Sequence, residues 1–403
     1  MRRRTTVTYL LFHFFQDFAL VYPVYLIYFQ QVGLSYLQLS WLLAIWGVAV
    51  LIMEVPSGII ADLWSRKWSL VIGMLLKGAG FLMWLVRPDF TGFALGFVLW
   101  GLQEAICTGT TEALLFDTLR DSGDESRFVE ISGKGQFFGR LGVVLSVLLG
   151  AWVFSRSPAV VMTVSALSMV VAAVCAALIA EPLPASASGA AASPAVPHTP
   201  GFQLQVQLRA ILDSVRAAGA VKGMLPLVLF GSLSIVVYGV LDEYDFLFAR
   251  HYGVPLAFVG IWGAGRFILE GLGAGLAHRL ERLLGLQSPV RLAGWMTAAG
   301  VLLGVGVLSG SRVLLVFYFG FFIMMAAAEV IFQGWVQHRV ASEGRATISS
   351  LVSFVYEAFG LGLVLLSGPV AEAFGLTSLF LLGAFVVSAA SVLFGISFFM
   401  ARN

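Results

Sequence analysis

Nine charged side chains lie at or near the middle of long apolar runs of this sequence. Six are acids and three are bases: Asp17, Glu54, Glu104, Glu270, Glu329, Glu357, Lys77, Arg140 and Arg266. A charge at the centre of a bilayer costs roughly 2.5–3.5 kcal/mol on insertion scales, so each needs a reason. If each base neutralises one acid, three carboxylates are left, and buried carboxylates of that kind take up protons. The residues therefore predict proton binding, and their negative excess favours a cationic or neutral ligand.

Asp17 is the acid best placed for proton coupling or for contact with a cation. It follows Gln16 and precedes Pro23 within one apolar run. The alternative is a structural role as the buried partner of Arg140. Arg140 is expected to be the counter-ion of an acid in the first or fourth apolar run, with ligand contact as its second interpretation.

The remaining buried charges allow two interpretations each. Glu329, four residues before Gln333, could contact a cation or hydrogen-bond to another helix, and Glu104 allows the same alternatives. Arg266 and Glu270 are four residues apart, so on one helix they can pair with each other. The predicted proton-coupling residues are Asp17, Glu104, Glu329 and Glu357.

Aromatic residues make up 13% of the chain and can hold an organic cation against their π faces. The candidates for a cavity floor are Tyr22, Tyr25, Trp46, Trp100 and Tyr238. An acidic stretch at 242–245 either attracts cations or forms a solvated helix end, and the solvated end is favoured. The predicted substrate cavity comprises Asp17, Tyr22, Tyr25, Glu104, Arg140, Arg266, Glu329 and Gln333.

The composition says what kind of protein positions these residues. The chain has 403 residues, of which 59% are hydrophobic and 11% charged, and its mean hydropathy is +0.92. Soluble domains are about a quarter charged, so an ordinary soluble enzyme is excluded. A net charge of +2 gives no reason to expect a nucleic-acid partner. The five histidines are scattered and the two cysteines lie in apolar runs, so we expect no metal, cofactor or disulfide.

Twelve apolar runs are long enough to cross a bilayer, which takes about 20 residues. They lie at 7–31, 37–61, 68–87, 91–119, 128–155, 158–180, 224–249, 256–278, 290–310, 313–338, 346–371 and 376–400. The first is too long for a signal peptide's apolar core and is expected to remain as a helix. A Pro-, Ala- and Ser-containing linker at 181–222 separates six runs from six, and it is either a tether or a carrier of an amphipathic surface helix.

The basic residues of the connecting segments give an orientation. If the N-terminus is placed in the cytoplasm, 17 of the 24 Lys and Arg residues lie in cytoplasmic segments and 4 in segments on the other side of the membrane. The other 3 lie within spans. Because basic loops stay in the cytoplasm, both termini are predicted to be cytoplasmic.

The two halves also resemble each other. The glutamates Glu54 and Glu104 in spans 2 and 4 have counterparts in Glu270 and Glu329 in spans 8 and 10. A six-plus-six repeat predicts two bundles around a central pathway. The expected fold is therefore an all-α membrane protein of twelve transmembrane helices in two six-helix bundles, residues 1–180 and 223–403, related by pseudo-two-fold symmetry.

Residues 58–67, which read G-I-I-A-D-L-W-S-R-K, carry a family resemblance. They resemble the loop 2–3 signature of the major facilitator superfamily, G-x-x-x-D-x-x-x-R-[KR]. The resemblance implies a cytoplasmic gate formed by Gly58, Asp62, Arg66 and Lys67. It also implies that spans 3, 6, 9 and 12 stand outside as supports, while the other eight line the cavity.

Span 1 resembles the drug/proton antiporter branch, where an acid precedes a proline. Two features depart from that branch. Members of the branch have an arginine four residues before a glycine of span 4, where this chain has Ala105 before Gly109. They also have a Gly-Pro pair in span 5, which is absent from span 5 of this sequence. The resemblance implies a monomeric secondary transporter in the cell (inner) membrane that exports amphipathic cationic or neutral small molecules in exchange for protons by alternating access. A nutrient uptake carrier is the alternative, and a membrane sensor or enzyme is a distant one.

Overall fold

The computed structural model describes residues 3–63, 65–180, 224–310, 315–339 and 345–402, and these form helices and no strands. The predicted linker at 181–222 lies outside the described residues, and the surroundings of Glu54, Gly58 and Asp62 are not described. The described residues divide into two compact units. The first unit contains those up to residue 180 together with 253–264, and the second contains those of 224–252 and 265–402.

Among its described residues up to 180, the first unit has eight α-helices. They are α1 (Arg3–Asp17), α2 (Tyr25–Gln31), α3 (Tyr36–Leu63), α4 (Arg66–Val86), α5 (Phe90–Cys107), α6 (Thr110–Asp121), α7 (Phe128–Phe154) and α8 (Pro158–Leu178).

The second unit begins with a helical turn (Met224–Pro226) and a π-helical segment (Leu227–Gly231). Its longer helices are α9 (Ser232–Glu243), α10 (Asp245–His251), α11 (Val259–Leu284), α12 (Pro289–Leu308), α13 (Leu315–Arg339), α14 (Arg345–Phe374) and α15 (Leu376–Arg402). The first residues of α11, up to Ala264, group with the first unit.

Within the described ranges, ten helical segments are long and apolar enough to cross a membrane. They match predicted spans 2–6 and 8–12. Predicted spans 1 and 7 are each divided: α1 ends at Asp17 and α2 begins at Tyr25, while α9 ends at Glu243 and α10 begins at Asp245. Backbone groups freed by such breaks are tolerated at membrane depth only where protein or a water-filled cavity surrounds them.

Local side-chain caps fix where several helices begin. The Ser65 hydroxyl accepts a hydrogen bond from the Trp68 amide at 3.1 Å, and the Asp89 carboxylate accepts one from the Gly92 amide at 2.8 Å. Both satisfy amides that the first turn of a helix leaves without partners. The Gly92 amide and the Arg87 guanidinium together hold the pKa of Asp89 below its ordinary value.

The same helix pairings recur in the two units. In the first unit α4 packs against α5 and α8, and α1 packs against α7 and α8. In the second unit α12 packs against α13 and α15, and α9 packs against α14 and α15. In both cases the third predicted span contacts the fourth and sixth, and the first contacts the fifth and sixth. These pairings support the repeat predicted from the sequence.

Small residues of α7 let α1 approach closely. A Cβ atom added to Gly142 would lie 2.5 Å from the carbonyl oxygen of Phe14, and one added to Gly139 would lie 2.5 Å from the Asp17 carboxylate. Helices in membranes associate through such small-residue contacts. The end of α1 that carries Asp17 is therefore held against the backbone of α7.

Large apolar side chains cover the outside of the helices. On α8, Leu167, Val174 and Leu178 are each more than half exposed. Soluble monomers rarely expose apolar surface on this scale, whereas lipid tails accept it.

Candidate functional site

A cavity of about 470 Å³ lies within the first unit, between α1 and α3–α6. Its lining residues are His13, Gln16, Asp17, Tyr22, Trp46, Lys77, Trp100, Gln103, Glu104, Cys107, Thr108, Gly109, Thr111 and Glu112. Two helix breaks border it, one after Asp17 and one at Thr108–Gly109, where Gly109 adopts a φ of 74°. Of the predicted substrate residues, Asp17, Tyr22 and Glu104 line this cavity.

Serines from α7 and α8 support the break in span 1. The Ser165 hydroxyl accepts a hydrogen bond from the Val21 amide at 3.1 Å. The Ser168 hydroxyl donates to the Phe15 carbonyl at 2.8 Å, and the Ser146 hydroxyl lies 3.5 Å from the Asp17 carbonyl. These bonds satisfy backbone groups that a continuous helix would have paired, so the break is a built feature of the unit.

Lys77 is the basic residue of this cavity. Its Nζ donates to the Tyr22 hydroxyl at 2.9 Å and lies 3.5 Å from the Gln16 carbonyl. It also lies 5.1 Å from the ring centroid of Trp100, within cation–π range. Lys77 is 4% exposed and faces the carboxyl end of α1, where the helix dipole favours a cation. The expectation that span 3 only supports the fold is therefore wrong at Lys77.

Asp17 has more than one polar neighbour. The Gln16 side chain hydrogen-bonds to its carboxylate, and Lys77 interacts with it electrostatically more strongly than Arg140 does. Arg140 is exposed on α7 and is not among the residues that line the cavity. The structure therefore makes Lys77, rather than Arg140, the principal base beside Asp17.

Three buried polar atoms that line this cavity have no hydrogen-bond partner among the described residues. They are Nε2 of His13, Oε1 of Gln16 and Nε1 of Trp46. His13 is 8% exposed, so water reaches it poorly. Because buried polar groups almost always have a partner, these atoms mark positions where a bound molecule would donate or accept.

An aromatic cluster forms one wall. Tyr22 stacks on Trp100 with ring centroids 5.6 Å apart, and Phe97 stacks on the same tryptophan at 5.9 Å. Tyr25, predicted to line the cavity, instead packs behind it, with its ring centroid 6.2 Å from that of Trp100 and 6.3 Å from that of Trp84.

The second unit contains a separate charged cluster around Arg266, which is 1% exposed. Its Nε donates to Asp245 at 2.8 Å, its Nη1 donates to Glu270 at 2.5 Å, and its Nη2 pairs with Asp242. The Tyr318 hydroxyl donates to the other oxygen of Asp245. The pair predicted between Arg266 and Glu270 is present.

The acidic stretch at 242–245 differs from its prediction as a solvated helix end. Asp245 is 0% exposed, because Arg266 and Tyr318 draw it into the unit. Asp242 and Asp245 lie on opposite sides of the break between α9 and α10, so one guanidinium binds both sides of that break.

Of the other predicted residues of the second unit, Tyr238 adjoins this cluster, because its hydroxyl hydrogen-bonds to the Glu270 carboxylate. The Gln333 amide donates to Glu329 at 3.3 Å on α13, and Glu357 is exposed on α14. The Tyr238 ring packs against Phe322 with centroids 5.4 Å apart.

Of the four residues of the predicted gate motif, the structure describes the side chains of the last two, Arg66 and Lys67. Arg66 forms an ion pair with Asp117 of α6, in the same unit, and both side chains are partly exposed. Nζ of Lys67 lies 5.8 Å from the ring centroid of Trp68.

The fold is that of a helical membrane protein, and one of its two units contains a cavity with a polar lining. The family model of the Major Facilitator Superfamily matches residues 7–362, and the chain belongs to that superfamily. It is accordingly a multi-pass membrane transporter and not a member of an enzyme family.

Solved structures of low sequence identity share the fold. The nucleoside transporter NupG is similar with a TM-score of 0.75 and 17% identity over 99% of both chains. A bacterial homolog of the human lysosomal transporter Spinster has a TM-score of 0.68 and 18% identity over 99% of this chain and 96% of its own. A D-xylose-proton symporter has a TM-score of 0.61 and 13% identity over 98% and 95%. No curated protein sequence matches the chain.

Proposed function

We propose that this protein is a proton-coupled secondary transporter whose first-unit cavity binds a small polar organic solute. The observation that carries the proposal is the convergence of Lys77, Asp17 and Glu104 with three unpaired buried polar atoms on one cavity. Its volume of about 470 Å³ suits a small organic ligand, since such pockets measure roughly 300–1,000 Å³.

Proton coupling is assigned to Asp17, with Glu104 as a second carboxylate that lines the same cavity. Asp17 lies at the end of α1, where the span is broken and beside the Lys77 ammonium. Protonation of the Asp17 carboxylate removes its attraction to Lys77. The free energy of any conformation that is stabilised by this attraction therefore changes. A ligand or proton shifts a conformational equilibrium only through such a differential interaction. Glu329 and Glu357 remain proposed proton sites of the second unit.

The lining favours a polar solute over the amphipathic drugs expected from the sequence. Amide, hydroxyl and charged groups of Gln16, Gln103, Thr111 and Lys77 reach the cavity wall. Structures with the same fold include a nucleoside transporter and a D-xylose-proton symporter, both of which carry polar solutes by their names. Export of amphipathic cations is the second candidate, supported by the stacked rings of Tyr22 and Trp100.

The proposed topology is twelve membrane crossings, with both termini, the segment at 181–222 and the Arg66–Lys67 end of the gate motif in the cytoplasm. Ten long apolar helical segments, together with the divided spans 1 and 7, support the number, and the 17-to-4 distribution of basic residues supports the orientation. We propose a monomer in the cell membrane.

The test is solute-driven proton movement in proteoliposomes that contain a pH-sensitive dye. Purified protein is offered nucleosides, sugars, amino acids and organic cations in turn. A transported solute is expected to change internal pH, with acidification for symport into the vesicle and alkalinisation for antiport. Solute flux without proton movement would contradict coupling.

Asp17→Asn is expected to abolish proton movement and accumulation against a gradient, because the amide cannot exchange a proton. Asp121→Asn, at an exposed position at the end of α6, is the matched control and should behave as the wild type. Proton-driven accumulation by Asp17→Asn, in protein that remains monodisperse, would refute the role given to Asp17.

A further inference from the structure

We infer that the solute of the first-unit cavity is a zwitterion, a small molecule that carries a carboxylate and an ammonium group. The inference rests on the proposed function and names its substrate class. It comes from the placement of both charge signs, together with unpaired donor and acceptor atoms, on the wall of one cavity.

The anionic end is recognised by Lys77. An ammonium group has three protons to donate. In the described part of the structure, those of Lys77 are directed at neutral acceptors, the Tyr22 hydroxyl at 2.9 Å and the Gln16 carbonyl at 3.5 Å. Of the ion pairs made by described residues, none involves Lys77. Asp17 attracts Lys77 without forming a direct ion pair with it, so a solute carboxylate would supply a directly hydrogen-bonded charged partner for this buried ammonium.

Trp46 adds a second donor for the carboxylate. Its indole Nε1 is a donor only, it is buried, and it has no acceptor among the described residues. Its ring centroid is 6.3 Å from that of Trp100, whose face lies over the Lys77 ammonium at 5.1 Å.

The cationic end is recognised on the acidic part of the wall. Asp17 and Glu104 line the same cavity, and Gln16 presents an unpaired acceptor, Oε1. The hydrogen bond from the Gln16 side chain to Asp17 uses its amide nitrogen, because a carboxylate only accepts. That bond leaves the amide oxygen free to accept from a solute ammonium.

Solutes with one charge satisfy only half of this wall. A simple cation would meet the buried ammonium of Lys77, and a simple anion would meet Asp17 and Glu104. Like charges at close range in a low-dielectric site repel strongly. A zwitterion places an opposite charge against each group and supplies partners to Trp46 and Gln16.

The experiment measures binding to the purified full-length protein by isothermal titration. The probes are L-alanine, L-leucine, L-phenylalanine and L-alanyl-L-alanine, each compared with its C-terminal amide and its N-acetyl derivative. At least one zwitterion is expected to bind about tenfold or more tightly than both one-charge analogues, since a charge-assisted hydrogen bond is worth that factor.

Lys77→Gln is expected to abolish the preference for the acid over the amide while keeping the preference over the N-acetyl derivative. Asp17→Asn is expected to weaken the preference for the zwitterion over its N-acetyl derivative. Lys134→Gln, at an exposed position on α7, is the matched control and should keep both. If Lys77→Gln does not fold, Trp46→Phe replaces it, since it removes one donor and should lower the acid-to-amide ratio severalfold.

Binding of no zwitterion, equal binding of acid and amide by the wild type, or an unchanged acid preference in Lys77→Gln would each overturn the inference. Proton-coupled flux of a sugar or nucleoside without zwitterion binding would overturn it and leave the proposed function intact. Absence of proton-coupled flux for every solute, with zwitterions bound, would refute the proposed function instead.

Discussion

Arg266 carries a buried positive charge that its neighbours compensate. Its guanidinium is 1% exposed and contacts three carboxylates, of which Asp245 is 0% exposed. The rings of Phe267 and Phe322 lie 4.4 and 4.8 Å from its central carbon, so no solvent replaces a lost partner. Removal of the guanidinium would take the positive charge away from the buried carboxylate of Asp245, to which the Tyr318 hydroxyl would still donate.

Arg266→Ala is therefore expected to destabilise the second unit by about 3–5 kcal/mol, the usual cost of removing one partner from a buried ion pair. Thermal unfolding of the purified protein in detergent measures the loss. Arg156→Ala removes an arginine of similar size at an exposed position and should change the unfolding temperature little. Equal unfolding temperatures for the two variants would show that the Arg266 cluster does not stabilise the fold. Arg266→Met with Asp245→Asn should recover part of the loss, because both charges are then absent.

Sequence spacing was sufficient for part of this cluster. Arg266 and Glu270 are four apart on one helix, so their pairing could be predicted without knowing any neighbour. Asp245 and Tyr318 come from other helices, and whether they face inwards depends on the break after Glu243 and on packing. Lys77 was missed because the resemblance assigned its span to the exterior, whereas one face of α4 reaches the cavity.

At the scale of elements, the positions of ten spans followed from apolar length, but the helix breaks in spans 1, 4 and 7 did not. The apolar run continues through residues 18–24, so composition alone gives one helix there. The break depends on Ser146, Ser165 and Ser168, which lie more than a hundred residues away in sequence. Local patterns could not reveal hydrogen bonds that only the folded bundle forms.

The contact between α1 and α7 gives a prediction at this scale. A methyl group at Gly142 would lie 2.5 Å from the Phe14 carbonyl and 3.2 Å from the Phe18 amide, both backbone atoms that cannot rotate away. Gly142→Ala is expected to destabilise the first unit by about 1–3 kcal/mol through overpacking and to weaken solute binding, because Asp17 moves with α1. Gly133→Ala, on the same helix with no atom within 4 Å, should leave stability unchanged or raise it by up to about 1 kcal/mol. Thermal unfolding and titration of both variants decide this, and similar behaviour of the two would contradict the close approach.

At the scale of the whole molecule, the positions of the basic residues and the length of α7 predict on which side of the membrane each end of α7 lies. α7 has 27 residues, so it is about 40 Å long and exceeds the hydrocarbon thickness of a bilayer. Its two ends are preceded and followed by exposed serines, Ser122 and Ser155. If α7 crosses the membrane, these two serines lie on opposite sides of it.

The positive-inside distribution assigns Ser122 to the cytoplasm and Ser155 to the outside. The two native cysteines, Cys107 and Cys175, are buried, so after their replacement by alanine a single new cysteine reports its own position. An impermeant maleimide should label Ser155→Cys in intact cells, and Ser122→Cys only after permeabilisation. Labelling of both from outside would mean that α7 does not cross. The reverse pattern would invert the proposed orientation and place both termini outside the cytoplasm.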